Sequence, residues 1–314
     1  MPAPRDGPAA AASVIASRYP ERVPDERFYP PMNFAALEPE ECDFARSRVV
    51  VLPVPYDSTV SARAGARDGP RAIIEASADM ELFDVGTGLE PWRHGIHTLA
   101  ELAPHTGSPE QMAARIEAVV GELIDAGKFV VTLGGEHTVA VGAARAHASR
   151  MPGLTVLAFD AHADMRERYL DSPLNHACTL RRINEVARVT QVGLRSASRE
   201  DWEFIRREGL AFYSPAELRE AGAAAVAAKL GERVYITIDI DSFDPAEMAA
   251  VGTPEPGGLH WDEVSALLAE VARTRRIVGF DITELAPVYG PPACAQLAAK
   301  LAYRLMGLAL GPAE

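Results

Sequence analysis

Apolar, β-branched runs alternate with helical patterns along nearly the whole of this chain, and that alternation fixes its fold class. The runs fall at 48–54 (RVVVLPV), 128–133 (KFVVTL), 154–159 (LTVLAF), 188–194 (RVTQVGL), 233–238 (RVYITI) and 276–282 (RIVGFDI), with weaker ones at 94–99 and 210–213. Helical spacing occupies 69–77, 109–126, 138–149, 176–186, 199–208, 215–230, 261–274 and 293–309. Ser108-Pro109-Glu110 and Ser214-Pro215-Ala216-Glu217 pair a capping serine with proline at the first helical position. Strand and helix in alternation imply a mostly parallel sheet with helices on both faces. The Pro- and Ala-rich residues 1–35 carry no sustained period and read as an irregular arm. Residues 36–314, without repeat or linker, read as one domain.

Open α/β sheets bind ligands beyond the carboxyl ends of their strands, and the polar residues of this chain gather there. D-A-H-A-D (160–164) follows LTVLAF, D-I-D-S-F-D-P (239–245) follows RVYITI, G-G-E-H (134–137) follows KFVVTL, and Thr283-Glu284 follows RIVGFDI. Taken singly, an aspartate after a strand reads as a helix cap or turn residue. Together they make a different case. In an extended chain alternate side chains share a side, so Asp160 and His162 are expected to face one way, as are Asp239 and Asp241, with Asp164 and His137 close by. Carboxylates this dense repel one another unless a cation sits among them, which a dinuclear metal site resolves. Aspartate oxygen with neutral imidazole suits Mn, Zn, Fe or Ni, whereas an all-oxygen set favours Mg or Ca. Two such ions about 3.5–4 Å apart lower the pKa of a shared water and make a hydrolase.

Glu284 separates the substrates open to such a hydrolase. A carboxylate beside cations repels a phosphate, whereas it holds a guanidinium in a bidentate fork; the alternative is a surface salt bridge or a helix-start acid. The net charge of −13 likewise opposes nucleic acid and anionic membrane and favours cationic ligands. No run approaches the apolar length of a membrane span. Cys42, Cys178 and Cys294 are odd in number and widely spaced, which fits a reducing cytoplasm and neither a disulfide framework nor a zinc ribbon.

Eight strings in order, V-P-Y-D-S-T (54–59), G-A-R-D-G-P-R-A-I (65–73), G-G-E-H-T (134–138), F-D-A-H-A-D (159–164), N-H-A-C (175–178), D-I-D-S-F-D-P (239–245), G-T-P-E-P-G-G-L (252–259) and D-I-T-E-L-A-P (281–287), resemble the ureohydrolase family of arginases and agmatinases. The resemblance runs from about residue 48 to 309 and is most like agmatinase. It implies a three-layer α/β/α sandwich around an eight-stranded, mainly parallel sheet. It implies two Mn2+ ions per subunit, other divalent metals being open. One ion would be held by His137, Asp160, Asp164 and Asp239, the other by Asp160, His162, Asp239 and Asp241. It assigns Glu284 to the guanidinium, Asp164 to orienting the attacking hydroxide and His176 to proton transfer, and leaves Asp244 to tie down its loop. It further implies a trimer or hexamer.

The reaction so implied is hydrolysis of agmatine, a small cationic guanidino compound, to putrescine and urea. The same chemistry on aminopropylagmatine, guanidinobutyrate or another guanidino compound is the alternative. Arginase-like asparagines are missing from M-R-E-R-Y-L-D-S-P-L: Arg166 occupies one such position and Asn175 is the loop's sole asparagine. Glu167 and Asp171 are therefore expected to receive a cationic tail, with Arg166 able to turn inward and oppose it. Glu136, where many relatives carry aspartate, is expected to matter little. A polyamine deacetylase of the related fold would require paired histidines, and no His-His pair occurs. A catalytically idle regulatory homologue is the reading from another class. His94, His97, His105, His147 and His260 lack partners at ligand spacing and read as structural or surface residues.

Overall fold

The computed structural model describes residues 32–313. Of the arm expected over 1–35, residues 1–31 lie outside that range, while Phe34 is fully buried in the core. Eight strands form one sheet: β1 (Val49–Val54), β2 (Ile96–Thr98), β3 (Phe129–Gly134), β4 (Thr155–Phe159), β5 (Arg188–Val192), β6 (Ala211–Tyr213), β7 (Arg233–Asp239) and β8 (Arg276–Thr283). Their order is β2-β1-β3-β8-β7-β4-β5-β6, and every pair is parallel.

Alternate side chains of each strand enter separate cores. Val49, Val51, Val131, Leu133, Leu157, Phe159, Ile236 and Ile238 pack on one face. Val50, Leu52, Val130, Val156, Ala158 and Tyr235 pack on the other. The first face is covered by α1 (Gly69–Ser77), α6 (Pro215–Ala221), α7 (Ala223–Ala227), α8 (Trp261–Thr274) and α9 (Pro292–Leu310). The second is covered by α2 (Pro109–Asp125), α3 (Val139–Arg150), α4 (Thr179–Asn184) and α5 (Arg199–Glu208). Burial on both faces is why the central strands are continuously apolar, and the result is a three-layer α/β/α sandwich. No helix among the described residues is long and apolar enough to cross a membrane.

Two expected helices are broken. The pattern over 215–230 divides at Gly222, whose φ of 78° ends α6 in a conformation glycine tolerates. The pattern over 176–186 opens instead with a 3-10 turn, His176–Cys178, before α4. Asn175 caps that turn by accepting the Ala177 N–H at 3.1 Å.

Strand order places the site. The chain leaves β3 for β4 and returns later to insert β7 and β8 between them. The four central strands β3, β8, β7 and β4 therefore bring G-G-E-H, Thr283-Glu284, D-I-D and D-A-H-A-D side by side at one end of the sheet.

Candidate metal centre

His137 is the hinge of the cluster. Its Nε2 lies 3.0 Å from Thr237 Oγ1, and that hydroxyl donates to Asp281 Oδ1 at 2.8 Å. With its proton so committed, the hydroxyl accepts from Nε2–H, and Nδ1 is the nitrogen left to face the cluster. Asp164 Oδ2 lies 3.1 Å from Nδ1, Asp160 Oδ2 3.2 Å and Asp239 Oδ2 3.6 Å. A lone pair aimed at three carboxylates is unfavourable unless a proton or a metal ion lies between them.

Asp160 also reaches the second histidine. His162 Nδ1 is 2.9 Å from Asp241 Oδ2 and 3.8 Å from Asp160 Oδ1. Ligand atoms of His137, Asp160 and Asp164 converge within one ion's reach, as do those of Asp160, His162 and Asp241, with Asp160 common to both. Asp239 is buried beside them and lines the same cavity.

The extended alternation expected for these motifs is not what brings them together. Asp239 ends β7, but Asp241 sits on a 3-10 turn, Ile240–Ser242. The carboxylate of Asp239 accepts the Asp241 N–H at 2.9 Å, and that of Asp160 accepts the His162 N–H at 2.6 Å. Each motif is thus an aspartate folding the chain over its own side chain. The turns are held from below by Arg195, which donates to the carbonyls of Gly193, Asp241, Ser242, Phe243, Glu255 and Pro256. Asp244 lies outside the cluster and accepts the amides of Ala246, Gly257 and Gly258.

Electrostatics reinforce the geometry. Burial, then Asp164, pushes the Asp160 carboxyl up to about 7. Burial, then Asp241, pushes Asp239 well above the carboxylate range. Burial, with Glu136 nearby, takes Glu284 to about 8. Burial opposes charge on the histidines too, yet Asp241 holds His162 at about 10 and Asp160 and Asp164 raise His137. His162 in turn outweighs burial at Asp241 and lowers it. Without a cation the cluster must take up protons, and Asp160 Oδ2 is still buried with no hydrogen-bond partner. Oxygen-rich donors, two imidazoles and an orphaned carboxylate oxygen fit divalent ions.

Glu284 follows β8 and lies at the cavity floor. Its Oε1 accepts the His137 main-chain N–H at 2.7 Å. Its φ is 67° and that of Asp164 is 48°, conformations costing about 1–2 kcal/mol for a residue with a Cβ. The Glu284 amide donates to Gly135 O at 2.7 Å. Gly135 has no room for a side chain, since a Cβ there would lie 2.1 Å from Tyr56 O.

The cavity has a volume of about 320 Å³ and includes His162, Asp164, His176, Asp201, Asp239 and Glu284 in its wall. His176 is drawn in by the loop after β1, through contacts to Thr59 and Ser61. The tail-binding expectation for Glu167 and Asp171 is corrected. Glu167 is paired to Arg181 at 2.5 Å and to Arg182 at 3.3 Å, and neither acid lines the cavity. Arg63, Arg166 and Asp201 do line it. Asp201 is buried with Oδ1 unpartnered, although its sequence signal is only that of a helix cap. Arg195, Thr59 and Ser61 likewise escaped the sequence reading; the motif containing Thr59 was the available signal.

The profile of the arginase family matches residues 47–307. N(1)-aminopropylagmatine ureohydrolase of Synechocystis is 37% identical over 274 residues, 84% of this chain and 90% of the relative. An agmatinase of Bacillus anthracis is 34% identical over 250 residues, 78% of this chain and 86% of the relative. The crystal structure of agmatine ureohydrolase of Thermoplasma volcanium superimposes with a TM-score of 0.81 at 31% identity, covering 90% of this chain and 96% of that one. The chain therefore belongs to the arginase family. It is a ureohydrolase, an enzyme that hydrolyses guanidino groups.

Proposed function

We propose that the enzyme hydrolyses agmatine to putrescine and urea, with two Mn2+ ions held by His137, Asp160, His162, Asp164, Asp239 and Asp241. The observation that carries this reading is the convergence of those side chains around a shared Asp160, beside a buried Glu284, at the floor of one cavity. The metal pair, when bound, supplies activation of water at neutral pH. Glu284, fixed by the His137 amide, receives the guanidinium and holds it planar over the cluster. Asp164, held at positive φ against His137, orients the attacking water and takes up its proton. His176 presents Nε2 to the cavity, because its Nδ1 is bound to a carbonyl oxygen, which can only accept. That nitrogen delivers the proton without which an alkylamine leaves poorly.

Relatives that act on agmatine and on its aminopropyl derivative support a cationic tail, and Asp201 places an acidic residue in the cavity wall. Aminopropylagmatine is the nearest alternative substrate. A guanidino acid such as guanidinobutyrate is favoured by a different observation, the presence of Arg63 and Arg166 in the same wall. Arg63 is engaged by the carbonyls of Val251 and Gly252, and Arg166 lies over the Tyr169 ring, so both have structural work without a substrate carboxylate. Three cysteines, odd in number and widely spaced, support a cytoplasmic site of action, and the family resemblance supports a homo-oligomer.

Urea release measured over agmatine, aminopropylagmatine, guanidinobutyrate and arginine, with the metal varied, tests the reading. Agmatine or its aminopropyl derivative with Mn2+ should give the highest kcat/KM. Arginine or guanidinobutyrate equalling them would overturn the tail assignment and leave the guanidino chemistry in place.

A further inference from the structure

Glu136 adjoins the cluster in sequence but is not among its converging ligand atoms, and its carboxylate is held chiefly by Thr59, with the Thr138 hydroxyl beside it. Thr59 donates its main-chain N–H to Oε2 and its hydroxyl to Oε1, both at 2.6 Å. Glu136 is fully buried and Thr59 nearly so. With its proton committed to Glu136, Thr59 Oγ1 keeps its lone pairs, and it accepts the His176 main-chain N–H at 3.0 Å. The Thr59 carbonyl accepts from the His176 ring at Nδ1, 2.8 Å away, and from the Asn175 side-chain amide at 3.2 Å. Three elements distant in sequence are thereby joined: the segment after β3, the loop after β1 and the turn before α4.

We propose that Glu136 and Thr59 form a clamp that positions His176 for proton transfer, fixing both the place of the ring and its tautomer. The carbonyl of Thr59 holds the proton on Nδ1, which leaves Nε2 as the exchanging atom, 3.1 Å from Ser61 Oγ. The side chain of Thr59 keeps that carbonyl in place. Without the hydroxyl, one Glu136 oxygen and the His176 amide lose that partner together, and the turn carrying His176 stays on the loop only through the Thr59 carbonyl. The inference rests on the role given above to His176, and it makes Glu136 and Thr59 positioning residues rather than catalytic ones.

The test is a double-mutant cycle on the full-length, metal-loaded enzyme with agmatine as substrate. Thr59→Val is close in volume and lacks the hydroxyl; Thr59→Ser restores it. Thr59→Val is expected to lower kcat about tenfold, a fraction of what a placed acid contributes, with KM and bound metal within about twofold of wild type. Thr59→Ser should recover kcat to within about threefold. In a His176→Ala background, Thr59→Val should cost less than about twofold more, because the two changes act on one device. An equal loss with and without His176, or wild-type kcat in Thr59→Val, would overturn the clamp. Wild-type kcat in His176→Ala would instead remove the proton-transfer role, and the clamp with it. The clamp alone fails when His176→Ala is slow and Thr59→Val is not.

Discussion

The floor and the rim of the cavity are built on opposite terms. The floor belongs to the ends of β3, β8, β7 and β4, where His137, Asp160 and Asp241 are almost wholly removed from water. Its charges sit at contact distance, and no rearrangement short of protonation or a bound cation relieves them. The rim belongs to the loop after β1 and the segment 166–172. There Arg166 rests on Tyr169, and Leu170 is exposed by 65% at a φ of 46°. Charges on the rim are exposed or half-buried, so each is worth less than one on the floor. On the proposed function, the comparison assigns the chemistry to the floor, where each change should cost most, and substrate preference to the rim, where each should cost little.

The largest effect should come from the floor. Asp160→Asn removes the carboxylate common to both groups of ligand atoms. It should lower kcat by at least about 1,000-fold, or about 4 kcal/mol, together with the metal content. Loss of activity with full metal occupancy would show that the shared aspartate is dispensable to the ions. Activity retained after exhaustive chelation would break the floor reading altogether.

Glu284 stands where floor meets cavity. Glu284→Gln keeps the acceptor for the His137 amide but removes the charge. It should retain metal and lose roughly 30-fold in kcat/KM for agmatine, about 2 kcal/mol, as expected for a desolvated charged contact. A change within twofold would move Glu284 from the floor to the rim.

The smallest effect should come from Arg166. Arg166→Ala removes a half-buried positive charge from the wall. It should leave kcat within about twofold and shift the KM ratio of agmatine to guanidinobutyrate by about three- to tenfold in favour of agmatine, consistent with about 1 kcal/mol for a partly exposed charge. A loss of kcat for both substrates would show that Arg166 serves the floor.

What could be read in advance divides along the same line. Six strong apolar runs and two weaker ones correspond to the eight observed strands, because a sheet buried on both faces leaves a continuous local signature. The residues proposed as ligands stood out because each ends a strand or follows one within a few positions. The helix over 176–186 was misjudged because its first turn is held by Thr59, more than 100 residues earlier in the chain. Acidity at Glu167 read as a substrate contact, but Arg181 and Arg182 of α4 claim it. The extended reading of D-x-D failed for a local reason: an aspartate side chain can satisfy the amide two residues on and turn the chain.

By itself, then, the sequence determined the strands, the sheet's parallel sense and the residue types crowded at its carboxyl end. Hydrophobic period and strand-end position are properties of neighbours along the chain, and they need no knowledge of the rest. Only the tertiary structure decided that β7 and β8 lie between β3 and β4, so that His137, Glu284, Asp239 and Asp160 become adjacent. Only it decided that Glu136 grips Thr59 and Thr59 holds His176. Those bonds join segments with no local signal for one another, and burial, which makes an unpaired polar group costly, selects them once the sheet has closed.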